Sequence, residues 1–330
     1  MNNNSTLNYA EKYQPKLLEM YIENSYIAPF IASNVEWLDA KTFHFTTLKV
    51  GGYKQHKLTG GWNRQKFEEN DHPYTVENDR DVEFFVDKRE VDETNRTASI
   101  ENISNVFTMT QAIPESDAYF FSKVATKAIA LQRASTSVEG DWTKANVITK
   151  LKEIIRKNRR YANKGLILYV QGFIMDLISL STEYNRNINV ERLSSSTKGL
   201  ETRITVIDGV PIVEVIDDER FYTAFDFTDG FELTETSKKI NVLAATPMTT
   251  KYVEKISSIY LFLAGEHTQG DGPLYQNRDL NDVFMFPNAK NDKIDSIYVD
   301  YDETPINLDS DDGDDGDDDP TPETTPETTP

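Results

Sequence analysis

The chain has no cysteine in its 330 residues. That excludes disulfides, thiolate zinc fingers and thiol nucleophiles, and leans away from a small secreted domain without fixing the compartment. Histidine is scarce too. His44, His56, His72 and His267 are scattered, with no HExxH and no i, i+4 pairing, so neither a metal site nor acid–base work is indicated. GxGxxG, GxxxxGK[ST] and GxSxG are all missing, which leaves dinucleotide, P-loop and serine-hydrolase chemistry unsupported. The start, "MNNNSTLNYAEKYQPK", lacks a basic stretch followed by an apolar run, so no signal peptide is visible. Apolar runs stop at about five or six residues, far short of a membrane span. The expectation is a soluble, cytosolically made acidic protein.

What is present is enough to fold. A 38% hydrophobic content with 11% aromatics supports one large domain or two ordinary ones. The formal charge is −20, and half of it sits in Asp309–Pro330, which holds eight Asp, two Glu and no basic residue. "DSDDGDDGDDD" is a like-charge block that cannot collapse, and "PTPETTPETTP" repeats every four residues, so both are expected to be disordered or extended. The block is not an EF-hand. Counting back from Gly316 places Gly313 where an oxygen ligand is needed, and counting back from Gly313 begins on Leu308. Carboxylate pairs carry no information about a glycosidase in a chain with 55 acids.

Periodicity gives a mixed set of elements. "KTFHFTTL" alternates, with Phe43 and Phe45 on one face, and "PYTVENDRDVEFFVDK" reads extended again. Between them lies a polar, glycine-punctuated stretch, so the region reads as a long hairpin with that stretch at its tip. "AIPESDAYFFSKVATKAIALQRA" predicts a helix. Pro114 suits its first turn, Glu115 and Asp117 its positive end, and Phe121, Val124, Ala125, Ala128 and Leu131 its buried stripe. A second helix runs through "TKANVITKLKEIIRKNRR", with Val147, Leu151, Ile154 and Ile155 inward. "GLILYV" reads as a strand buried on both faces. "TRITVIDGVPIVEVI" reads as a hairpin around Asp208-Gly209. "KINVLAATP", "SSIYLFLA", "DVFMFPN" and "DSIYVD" supply further strands, with a brief helix, "MTTKYVEKI", between two of them. The "PKLLEMYIEN" segment carries the one helix signal of the first 35 residues. The class is α+β, without strict βαβ alternation.

Two basic features stand out. From Lys49 to Lys66 the chain has five Lys or Arg, one His and no acid. Its Gly60-Gly61 pair is followed by Trp62 rather than Lys-Ser/Thr, so it is no phosphate loop, and the glycines serve to bend and twist a hairpin end. Its cations could meet nucleic acid. On so acidic a protein, an acidic surface of another copy is the favoured partner. Tyr53, Lys54, Lys57, Trp62, Arg64 and Lys66 are therefore the candidate inter-subunit contacts. The second feature is the run Lys150, Lys152, Arg156, Lys157, Arg159 and Arg160. A solvated helix face with favourable dipole placement is its main reading. Lys152, Arg156, Arg159 and Arg160 remain candidates for contact with DNA or a neighbouring subunit. No catalytic constellation, cofactor site or metal site emerges.

Taken in order, the segments resemble the major capsid proteins of tailed bacteriophages, of Hong Kong 97 type. "VGGYKQHKLTGGWNRQKFEENDHPYTVENDRDVEFFVDKREVDETN" is similar to the extended loop of capsid proteins from phages of Gram-positive hosts. "AIPESDAYFFSKVA" resembles the start of the long spine helix of the peripheral domain. "GLILYVQGFIMDLI" and "TRITVIDGVPIVEVIDDERF" resemble axial-domain strands and hairpin. "KINVLAATPMTTKYVEKISSIYLF" with "QGDGPLYQNRDLNDVFMFPNAKNDKIDSIYV" resembles the closing segment. The resemblance covers residues 1–302. It rests on the order of the segments and on "DRDVEFFVDKREVDETN" and "DGPLYQNRDLNDVF".

The resemblance implies a layout. It has an N-terminal arm over 1–35, an extended loop and flanking strands over 36–90, and a peripheral domain with the spine helix over 91–145. A mainly axial domain covers 146–245, a closing segment returning to the peripheral domain 246–308, and the disordered acidic and Pro/Thr-rich tail 309–330. It implies a non-enzymatic building block that self-assembles as hexamers and pentamers into an icosahedral head. Double-stranded DNA is enclosed non-specifically in that head. The implied partners are other copies, a separate scaffolding protein, a portal protein and a minor or decoration protein, with no membrane. The expected location is the virion, after assembly in the host bacterial cytoplasm. An encapsulin-like nanocompartment shell is the alternative. A wall-associated binding protein, prompted by the Pro/Thr repeat, is remote because no signal peptide or sorting motif accompanies it.

Overall fold

The computed structural model describes residues 25–32, 41–56, 62–87, 100–138, 140–181, 204–262, 265–288 and 292–306. In chain order the elements begin with strands β1 (Thr42–Val50), β2 (Phe67–Thr75) and β3 (Asn78–Phe85). A long helix follows as α1 (Ile100–Phe107), a π-helical turn (Thr108–Ala112) and α2 (Ile113–Ala130). Then come β4 (Ala134–Ser137), α3 (Val147–Lys157), α4 (Arg159–Ala162), β5 (Ile167–Gln171) and α5 (Gly172–Leu180). The remainder is β6 (Ile204–Ile207), β7 (Val210–Val215), β8 (Phe225–Asp226), β9 (Glu232–Leu233), β10 (Ile240–Ala245), β11 (Thr250–Phe262), β12 (Leu274–Met285) and β13 (Tyr298–Asp302). "PKLLEMYIEN", the residues from 88 in "DKREVDETN", Lys57, Gly60-Gly61 and the acidic tail lie outside the described residues.

The centre is a mixed six-stranded sheet in the order β4-β13-β10-β5-β7-β6. It is covered on both faces, which is why β5 reads as an unbroken apolar run. Ile167 and Tyr169 of β5 point to one core with Phe120, Phe121 and Val124 of α2, whereas Leu168 and Val170 point to a second with Leu151, Ile155 and Ile174 of α3 and α5. β10 repeats the alternation, with Leu243 and Ala245 in the first core and Val242 and Ala244 in the second. The β6–β7 hairpin turns on Asp208 (φ 52°) and Gly209 (φ 78°), the positive pair a two-residue type I′ turn requires.

A separate three-stranded antiparallel sheet, β11-β12-β3, lies beside the long helix. Here the expected helix at "MTTKYVEKI" is corrected. Thr250–Phe262 is one 13-residue strand along β12. A bulge between Glu254 and Ile256 shifts the register, so Val253 and Ile256, three apart, both face the same aromatic cluster. The bulge thus writes a helix-like spacing into a strand.

The long helix also departs from expectation. Pro114 is not its beginning, because Ala112 already has helical angles (φ −62°, ψ −43°) and the helix runs back to Ile100. Pro114 lacks the N–H a regular helix would use, and the π turn immediately before it absorbs the irregularity. Thr108, Thr110 and Ser116 bond back to the carbonyls four residues earlier, each at 2.8 Å, a habit that bends helices. Leu131, expected in the buried stripe, is the exposed C-cap. Gln132 then takes φ 56°, and Gln132 and Arg133 donate to Ile129 and Ala128, closing the helix in a Schellman arrangement.

Asp117 is not at the helix start either. It is fully buried, accepting from the Ser25 hydroxyl at 2.7 Å, the Tyr26 amide at 3.0 Å and Arg220 at 3.0 Å. The stretch that the expected layout gave to an N-terminal arm over 1–35 thus already contributes core residues, Tyr26, Ile27 and Phe30.

Candidate assembly interface: the hairpin and its basic tip

β1 and β2 pair antiparallel from Thr42↔Thr75 at the root to Val50↔Phe67 near the tip. Nine residues per strand make a hairpin shaft about 30 Å long. The return strand starts at Phe67, six residues before the extended signal at Pro73, because "FEENDH" is poor in strand-favouring residues. Pro73 sits opposite His44. A proline is tolerated there because the hairpin is a two-stranded sheet with open edges.

Aromatic packing holds the root. Phe43 meets Phe284 edge-on at 5.0 Å, Tyr74 meets Phe284 at 5.3 Å, and Phe45 stacks on Phe286 at 4.2 Å. Val76, Val253 and Leu280 complete this cluster, which fixes the hairpin to the three-stranded sheet. Burial pushes the Tyr74 hydroxyl up, with the charge of Asp292 adding to it. Polar ties continue outward: His44 pairs with Asp71, His72 lies 3.3 Å from Asp292, and Lys49 lies 3.8 Å from Glu68.

Beyond the root the shaft is bare. Leu48, Val50 and Phe67 are exposed, and at the tip Tyr53 and Trp62 are essentially fully exposed at 109% and 94%. A lone two-stranded hairpin is marginal in water, and its end carries two large aromatics with little cover from the described residues. The tip has some internal order. Asn63 donates to the Gln55 carbonyl at 2.9 Å, Gln65 to the Gly52 carbonyl at 2.7 Å, and the His56 and Trp62 rings lie 6.5 Å apart. Gly51 is held close to Gln65, where a Cβ would meet Oε1 at 2.7 Å. The structure thus brings Tyr53, Lys54, Trp62, Arg64 and Lys66 together at one end of the shaft, all exposed; Lys57 lies outside the described residues.

The helix cluster divides. Lys157 bonds the Tyr298 hydroxyl at 2.7 Å and lies over its ring, Lys150 lies over Trp142 at 4.8 Å, and Arg160 pairs with Asp295 at 3.3 Å. Arg156 leans on Glu153 at 3.9 Å. Lys152 and Arg159 are exposed and make no ion pair with a described residue. Arg160 is thus paired within the chain while still exposed, and Lys152, Arg156 and Arg159 lie exposed beside it. What pattern reasoning missed is the root. "DVFMF" carries the alternation of Phe284 and Phe286, but only the fold places it against Phe43, about 240 residues away.

No protein-family model matches the sequence, and no curated protein matches it. Solved structures do. The mature capsid of bacteriophage PhiM1 aligns over 85% of this chain and 87% of that chain at 12% identity, TM-score 0.53. The capsid structure of cyanophage P-SCSP1u aligns over 83% and 86% at 11% identity, TM-score 0.52. A structure from Mycobacterium phage Bobi aligns over 85% and 91% at 14% identity, TM-score 0.52. At such identities the likeness is one of fold: this chain has the α+β, Hong Kong 97-like fold of phage capsid chains.

Proposed function

We propose that this chain is the major capsid protein of a tailed phage or prophage of a Gram-positive host. It would self-assemble as hexamers and pentamers into an icosahedral head around packaged double-stranded DNA, as a building block and not a catalyst. One observation carries the reading. On a capsid-type fold, an aromatic-rooted hairpin projects a basic tip with Tyr53 and Trp62 uncovered. Such a tip needs a partner, and another copy of an acidic chain supplies both area and opposite charge.

In this reading 36–90 form the extended loop and flanking strands, 91–145 the peripheral domain, 146–245 the mainly axial domain, and 246–308 the segment returning to the peripheral domain. A separate scaffolding protein, a portal protein and a minor or decoration protein are the further partners, and the virion is the destination. Ten acids in 309–330 would be repelled by packaged DNA, so the tail belongs outside. Antibody access to its C-terminus on filled particles checks this, and inaccessibility would overturn it.

Negative-stain electron microscopy of the expressed protein, alone and with its scaffolding partner, tests the main reading. Closed shells are expected. A strictly monomeric species under every assembly condition would overturn it. Nucleic acid in purified particles separates a phage head from an encapsulin-like shell, which would hold protein cargo instead.

A further inference from the structure

The second core holds α3 by one side only. Val147, Leu151, Ile154 and Ile155 are buried, and the opposite side is charged. From Thr143 to Gly165 the chain has eight Lys or Arg and one acid, Glu153. Part of this charge is spent inside the chain. Lys150 lies over the Trp142 ring, Lys157 over the Tyr298 ring, and Arg160 pairs with Asp295. Arg156 approaches Glu153 at 3.9 Å with both groups exposed, so that pair neutralises little. Lys144, Lys152, Arg159 and Lys164 are exposed and make no ion pair with a described residue. The first turn of α3 carries no acidic residue and Asn146 gives it no side-chain cap, so no acid of its own meets the positive end of the helix dipole.

A polyanion is tethered beside this face. Lys157, at the end of α3, donates to the hydroxyl of Tyr298, the first residue of β13, at 2.7 Å. Trp142, just ahead of α3, donates to Asp300 at 3.2 Å. β13 therefore runs toward the start of α3 and carries the chain past it. Glu303 donates to the Ser137 carbonyl and Ile306, the last described residue, to the Ser237 carbonyl, each at 2.9 Å. The acid block begins at Asp309 and ends at Asp319, with eight Asp and no basic residue.

Reach and charge both match. The block can extend to about 35 Å, whereas α3 is about 16 Å long. So short a tether gives an effective concentration on the order of millimolar. The hairpin tip is also basic, but its cations stand about 30 Å out along the shaft, while the α3 face begins where the chain leaves β13.

We propose that Asp309–Asp319 folds back along α3 of the same subunit and covers its basic face, keeping other polyanions off it. The contact is a set of screened charge pairs, so it holds at low salt and releases as salt rises. The Pro/Thr repeat beyond Asp319 brings only two Glu and takes no part. This inference does not rest on the assembly reading, because it concerns the isolated subunit.

Carbodiimide crosslinking of the unassembled full-length protein at about 50 mM salt, read by mass spectrometry, tests it. Amide bonds should join Asp309–Asp319 to Lys144, Lys152 or Lys164 within one chain, which mixing with isotope-labelled protein verifies. They should fade by about 1 M salt, where the screening length is about 3 Å. A short DNA duplex then serves as a polyanion probe in fluorescence anisotropy. Changing the six Asp of 311–318 to Asn in the full chain should tighten duplex binding roughly tenfold at low salt. Adding Lys152→Glu, Arg156→Glu and Arg159→Glu should cancel that gain, whereas adding Lys54→Glu and Arg64→Glu should not. Crosslinks that run to Lys54 or Lys66, crosslinks between chains, or none at all would each overturn the proposal. So would an unchanged duplex affinity, or a gain that survives reversal of the α3 face.

Discussion

Asp117 and Arg220 meet at 3.0 Å in a place where the carboxylate has no solvent-exposed surface. The same carboxylate receives Ser25 and the Tyr26 amide, so one side chain of α2 fastens the first described segment to the core. Burial nevertheless outweighs Arg220 and holds Asp117 up at about 6. Replacing it with Ala leaves a guanidinium, a hydroxyl and an amide without their acceptor, and should cost about 3–5 kcal/mol in denaturant unfolding. Asp117→Asn keeps an acceptor and should cost less. Because the folded value is raised, the carboxyl's contribution is complete below about pH 4 and lost as pH rises through about 6. The Asn variant should flatten that part of the stability–pH curve; an unchanged slope would assign it elsewhere.

The hairpin root makes a second prediction. Phe43 is buried against Phe284, Phe286 and Tyr74. Phe43→Ala should cost about 3–5 kcal/mol at that site through lost transfer and a cavity. Neither sheet-covering core includes Phe43, so the loss should appear as local opening. Hydrogen exchange over 42–50 and 67–75 should accelerate while β5 and β10 remain protected. Uniform acceleration would mean that root and core unfold as one unit.

Gly272 gives a steric test. A Cβ there would lie 1.9 Å from the Val86 carbonyl oxygen, at the point where Val86 donates to the Pro273 carbonyl at 3.2 Å. The obstacle is backbone, so no rotamer change relieves it. Gly272→Ala should destabilise by about 1–3 kcal/mol, as overpacking does. A melting temperature equal to wild type would show that the β11–β12 turn can shift away.

The features that the sequence exposes are those whose physics is local. "GLILYV" is apolar throughout because each face of β5 has its own core. Asp208-Gly209 names its turn because two positive φ values in succession favour such residues. The inward positions of α3 follow from period alone, and Val147, Leu151, Ile154 and Ile155 are all buried. The failures are also physical. A bulge at 254–256 gave a strand a helical rhythm, and a proline that usually opens helices sits past a π turn inside one. Asp117 with Arg220, 103 residues apart, and Asp279 across from Arg80 are long-range pairings that no window of sequence contains. The hairpin tip was legible as a composition anomaly. The aromatic root that aims it was not.

The tip supplies the last prediction, and it can separate charge from apolar area. Reversing Lys54, Lys57 and Arg64 to Glu should leave far-UV circular dichroism and subunit melting unchanged, since Lys54 and Arg64 are exposed and make no ion pair with a described residue. Particle yield by sedimentation should fall sharply if these cations meet acids on another copy. Trp62→Ala should also reduce assembly, by the roughly 2–4 kcal/mol per contact typical of a buried aromatic anchor. Salt distinguishes the two causes. Exposed charge pairs weaken as the screening length drops from about 10 Å at 0.1 M to about 3 Å at 1 M. The charge-reversed protein should therefore regain ground on wild type as salt rises, while Trp62→Ala should lag at every ionic strength. Normal particles from the triple reversal at low salt would make the charge incidental and leave Tyr53 and Trp62 as the groups that seat the hairpin.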